Sequence, residues 1–229
     1  MPRKKKEAVQ EEAVRETAEQ TVELKPINTK IMDITIIGVS DLILNKMNKR
    51  NWEAQVNKQS DKSKTIRTTN KWEDLITEIH WRDELPDSIE YTEETLKYLL
   101  KNNAPCIVAN GLKKSIADAL YRNGLDKNKT KFMASVNMIA PGGLIPVRFA
   151  EHHADEKLMK PPMGSLVLAY QNRFVGWEAK FGIQYVDGGA YSADQILQFI
   201  NLAGFGIGIG SGRNCGFGRY KIKEIGVEQ

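Results

Sequence analysis

The sequence predicts an α+β fold built on a βαββαβ core that carries large insertions. Three observations lead there. A β-branched run with Ile31, Ile34, Thr35, Ile36 and Ile37 opens the folded part, two amphipathic helices lie near 110–124 and 192–203, and strand-like runs fill the chain between and after them.

Residues 1–26 read as a charged, disordered tail. Arg3 to Lys6 is a basic cluster, and the Glu, Gln and Ala that follow bring too little apolar surface to offset the entropy of ordering. The run from Lys30 stops at Gly38, as a largely buried strand would, and Asp41 to Leu44 continues apolar. From Lys46 to Lys71 the periodicity lapses into Ser, Asn, Lys and Thr, so a mobile loop is expected there, bracketed by Trp52 and Trp72. Thr92 with acidic residues behind it opens a short helix over 92–102. Asn110 to Gly124 is the clearest helix of the middle region, with Leu112, Ile116, Ala119 and Leu120 on one face and Gly124 suited to its C-terminal cap.

Strand-like runs follow at Lys131 to Ala140, Leu144 to Ala150, Ser165 to Tyr170 and Phe174 to Val186. Pro141-Gly142-Gly143 joins the first two with a hairpin signal. Ser192 and Gln195 make a capping box ahead of a second helix that ends at Ala203. A glycine-rich stretch then leads into Tyr220 to Val227, which alternates like a terminal strand. Strand, long insertion, helix, several strands, helix, glycine loop, strand is the order of a ferredoxin-like core with insertions, and residues 27–229 are expected to form one domain.

Composition narrows the function classes. With 229 residues and 41% hydrophobic content the chain can bury one substantial core or two small ones. It holds no run approaching the roughly 20 apolar residues of a membrane span and no signal peptide, so a cytoplasmic protein without a membrane partner is expected. Cys106 and Cys215 are distant and lack CxxC spacing, which argues against a disulfide framework or a zinc site and for two ordinary packing residues. No metal or cofactor is expected. The net charge of +4 is mild, but Lys46 to Lys71 carries eight basic residues against two acidic ones, a local +6 that leaves the rest of the chain near neutral.

The main binding candidate is the glycine stretch. Seven glycines lie between Gly204 and Gly218, interleaved with apolar residues and accompanied by Arg213 and Arg219. Gly206, Gly208, Gly210, Gly212, Gly216 and Gly218 admit positive φ and let a phosphate approach backbone N–H groups, while the two arginines add charge and planar stacking. GxxxxGK[ST] is absent, and the glycines follow a helix and precede a strand, the reverse of a dinucleotide site. The bland alternative is that the glycines pack the loop tightly over the sheet. Lys58, Lys62, Lys64 and Arg67 of the basic segment, with Lys113 and Lys114 of the middle helix, are candidate phosphate contacts. Trp52 and Trp72 are candidate stacking platforms with core packing as the alternative, and Trp177 is expected in the core.

The run GIGIGSGRNCGFGRYKI resembles the C-terminal glycine-rich loop of the RAMP superfamily, the ferredoxin-like RNA-binding proteins of CRISPR effector complexes. Ile34 to Leu44 is similar to that superfamily's first strand and its exit, and Ile107 to Arg122 to its first core helix. The whole pattern also resembles small proteins of bacterial viruses. The resemblance implies binding of single-stranded nucleic acid, RNA before single-stranded DNA, by subunits that assemble side by side as a homo-oligomer or within a multi-subunit complex.

Some members cut RNA without metal, using a histidine as general acid or base, so an endoribonuclease is the alternative function. A structural assembly subunit without nucleic acid is the third. His152 and His153, beside Glu151 and Asp155, are adjacent on a strand and so point to opposite faces, leaving one at most for a given pocket. His80 beside Trp81 reads as a strand residue at a core edge, and a lone Asp41 after the first strand is a weak cleavage candidate. No catalytic residue is assigned.

Overall fold

The computed structural model describes residues 27–61, 69–159 and 167–223. The expected tail, the later part of the terminal strand, and Lys62, Lys64 and Arg67 therefore lie outside the described residues. The protein is an α+β molecule whose sheets are antiparallel throughout the described part.

Strand β1 spans Thr29–Gly38 and β9 spans Glu178–Val186. They pair along nearly their whole length, with Ile34 opposite Phe181 and Ile36 opposite Ala179, all four buried. The alternate residues face the other way: Thr35 lies opposite Lys180, and Lys180 reaches Asp33 at 3.1 Å. A period of two thus separates a core face from a charged face. β10, Tyr220–Ile222, closes the sheet on the far side of β1.

On the other side β9 is bordered by two strands in succession, β5 (Val136–Ile139) and β6 (Leu144–Arg148). The expected hairpin at Pro141-Gly142-Gly143 is therefore not formed. The two strands run in the same direction beside β9, and the Pro-Gly-Gly turn is an offset between them. The chain leaves β9 after Ile139 and rejoins it at Val147; in between, Leu144 to Pro146 pair with β4, Pro105–Val108, and β3, His80–Trp81, completes that edge.

Helix α4, Ala109–Arg122, and helix α6, Ala193–Gly206, supply the other half of the core. Leu112, Ile116, Ala119 and Leu120 of α4 and Ile196, Ile200 and Ala203 of α6 are buried together with the inner residues of β1 and β9. Each of these Leu and Ile side chains contributes on the order of 1.5–3 kcal/mol. The capping box at Ser192 and Gln195 is present, and Gly124 takes φ 68° just past the end of α4. α6 runs three residues beyond Ala203.

Two sequence assignments shift. The start of the Lys131 to Ala140 run is helix α5, Lys129–Ser135, capped by Asn128 and anchored by buried Phe132. The Phe174 to Val186 run is split at Gly176, where φ is 62°, so Trp177 is in the core as expected but at a turn.

The insertions build a second layer. β7 (Glu151–Met159) and β8 (Val167–Val175) form a long hairpin, and β2 (Leu42–Leu44) joins it to give the sheet β2-β8-β7. Part of the segment expected to be a loop is helical: α1 covers Lys49–Asp61 and α2 covers Lys71–Thr77. Asn48 caps α1 by accepting the Asn51 N–H at 2.8 Å. Arg50 reaches Glu73 at 2.7 Å and also bonds Asp74, which ties α1 to α2. α3, Glu93–Asn102, is opened by Thr92 as expected.

Candidate nucleic-acid interface

The glycine stretch is a strap folded against its own protein. The N–H of Gly208 donates to Ala203, that of Ile209 to Gly218, that of Ser211 to Ile43, and that of Gly218 to Asp41. Cys215, Gly216 and Phe217 close the 3-10 turn Arg213–Cys215 on itself, and the Arg219 N–H donates to Ser40 Oγ at 2.9 Å. These N–H groups face inward, so the expectation that the glycines leave them open to a phosphate does not hold for this set.

What the glycines permit is close approach. A Cβ on Gly218 would stand 1.8 Å from the Ile209 carbonyl oxygen, and one on Gly210 would stand 2.4 Å from that of Ile43, both at positive φ. Gly206, Gly212 and Arg213 remain exposed. Arg219 turns back under the loop, where its Nη2 donates to the Arg213 carbonyl at 3.3 Å and its buried Nη1 has no partner.

Between the strap and the start of α4 lies a cleft of about 350 Å³. One wall is Ile209, Gly210, Ser211 and Arg213, and the other is Gly111, Leu112, Lys114 and Asp118 of α4. The spacing of 111, 114, 115 and 118 puts these residues on one helix face, and Ser115 Oγ on that face donates to the Gly208 carbonyl at 2.8 Å. β3 and β4 close the end, with His80 and Cys106 directly paired across the ladder. The floor is apolar, formed by Leu44, Ile107, Val108, Leu112 and Ile209.

The rim is cationic. Lys114, Arg213 and the neighbouring Lys46 have no acidic partner among the described residues, whereas Asp118 is occupied by Lys129. Other cations are paired, as in Lys30–Asp187, Lys71–Glu156 and Lys97–Glu93. Burial pushes the Lys46 ammonium below its usual range, and burial followed by the Lys46 charge pushes His80 down. The Cys106 thiol is raised to about 11 by burial, which leaves it protonated and unreactive.

The cleft thus brings together Gly210, Arg213 and Lys114 from the sequence candidates and adds His80, Asn45 and Ser211, with Lys46 next in sequence to Asn45. Lys113 sits beside Lys114 but does not line the cleft, and its ammonium is lowered by burial. Trp52 is exposed on α1. Trp72 is half-buried against the core, with Lys71 5.0 Å from its ring centroid. Lys58 belongs to α1. Cys215 is exposed, which corrects its reading as a packing residue.

His152 and His153 stand on β7 in the second sheet. His152 meets Asn172 at 2.9 Å and is lowered by burial, and His153 pairs with Glu151 at 3.4 Å. Asp41 holds Arg173 at 2.8 Å. Among the described residues no group of three or more His, Cys, Asp and Glu is placed to hold a metal, and no helix is long and apolar enough to cross a membrane. No family model and no curated protein matches the chain.

Proposed function

We propose that the protein binds single-stranded nucleic acid at this cleft, with RNA preferred over DNA. The observation that carries the reading is that Lys114 and Arg213, without acidic partners among the described residues, line opposite walls of one apolar-floored cleft, while the charge of Lys46 acts on His80 at its end. Cations without carboxylate partners attract an anion, and a phosphodiester chain supplies anions in series. The floor suits the unstacked bases of a single strand, which a duplex keeps paired.

A ferredoxin-like core is part of the same proposal, and the strand path is what supports it. β10-β1-β9-β5, with α4 between β1 and β5 and α6 between β9 and β10, has the strand order and helix placement of a βαββαβ repeat. The preference for RNA and assembly side by side along the strand rest on the resemblance of the glycine stretch to the RAMP superfamily.

Fluorescence anisotropy with a labelled single-stranded RNA, its DNA equivalent and a duplex tests the reading across a salt series. Single strands should bind tightest, and Lys114→Ala with Arg213→Ala should flatten the salt slope by about 0.7 for each phosphate no longer neutralised. Equal binding of the duplex, or an unchanged slope, would reject it. The assay is run in chelator with the RNA recovered afterwards; shortened strands would make the protein a metal-independent nuclease with His80 as the first residue to replace.

A further inference from the structure

We propose that the cleft seats one unstacked nucleotide of the bound strand, its base over Val108 and Gly111, with buried Leu112 and Ile209 beneath them, and its phosphate between Lys114 and Arg213. The inference rests on the strand-binding reading and adds what the site recognises. A phosphate alone would be served by an exposed cationic patch and would gain nothing from an apolar floor. A volume of about 350 Å³ falls in the range of sites that enclose a small ligand, roughly 300–1,000 Å³.

The polar groups above that floor are few and convergent. Neutral His80 offers one N–H and one bare nitrogen, and Asn45 and Ser211 offer further donors and acceptors at the cleft edge. Such a set matches the mixed donor and acceptor edge of a nucleobase. An acyl chain would leave these groups unpaired, at a cost for every one that is desolvated.

Gly111 provides a clean probe. It lies within α4 on the cleft wall, and a Cβ there meets only Val108 Cβ, at 3.9 Å, so a larger side chain projects into the cleft without displacing backbone. Gly111→Phe is expected to keep the fold and fill the base site. Its melting temperature should equal or exceed that of the parent, because glycine is a poor helix former.

The full chain is titrated with a homopolymeric single-stranded RNA and with a tetrahydrofuran-spacer strand of equal length and charge that carries no bases. The parent should bind the base-bearing strand about tenfold more tightly, within the range of a single buried base. Gly111→Phe should bind it no better than the spacer strand. A parent that binds both strands alike, or a Gly111→Phe protein that keeps the preference, would overturn the base site while leaving strand binding intact. Failure of both strands to bind the parent would overturn the strand-binding reading, and the base site with it.

Discussion

Arg219 donates from Nη2 to the backbone carbonyl of Arg213 at 3.3 Å, so the two arginines of the glycine stretch have different work. One braces the turn that displays the other. Arg219→Ala should therefore lower the melting temperature through loss of a hydrogen bond worth about 0.5–1.5 kcal/mol. Arg213→Ala should leave melting unchanged and weaken strand binding about tenfold, the loss of one charge-assisted bond. Scanning calorimetry and anisotropy on both variants check this, and the converse pattern would reverse the assignment.

Two glycines of the strap should respond to alanine with opposite signs. Gly218 holds φ 69° against the Ile209 carbonyl, so alanine there costs about 1–3 kcal/mol for the backbone conformation alone, before the clash is relieved. Gly206 ends α6, and a Cβ there would meet nothing within 4 Å, so alanine should stabilise by about 0.4–1 kcal/mol. Urea unfolding of the two variants decides, and equal effects would mean that the strap is not pinned at Gly218.

Acid stability should depend on Asp155. Arg173 Nε meets Asp155 at 2.6 Å, and this bond holds the carboxyl below its ordinary 3.8. A carboxyl depressed by folding contributes stability that is complete above the unfolded value and is lost as pH falls through the folded one. The loss therefore lies below 3.8. Urea midpoints measured from about pH 5 down to about pH 2 should fall less steeply for Asp155→Asn than for the parent; parallel curves would contradict the pair's contribution.

Features governed by neighbouring residues are legible in the sequence. Thr92, Ser192 with Gln195, and Gly124 mark helix ends because caps act within one turn. The Pro141-Gly142-Gly143 turn departs from its local signal because its geometry is decided by Val108 and β9, remote in sequence. α1 escapes a periodicity argument because its polar face is held by Asn48, Arg50, Glu73 and Asp74 rather than by an apolar stripe. Of the cleft, Arg213, Gly210 and Lys114 can be read from residue type and spacing. His80 cannot be placed there, since only the β3–β4 ladder sets it opposite Cys106.

The bonds that dock the strap on β2 and on the turn after β1 link residues near 40 with residues near 218, almost the full length of the described chain apart. During synthesis the α4 wall of the cleft emerges long before the residues that face it. Contacts of such separation form late, because the intervening chain must first surrender its freedom. A nascent chain therefore exposes Lys114 and the part of the floor that Val108 and Leu112 supply, without the opposite wall. The ability to grip a ligand arrives in one step, when the strap closes, rather than growing with chain length.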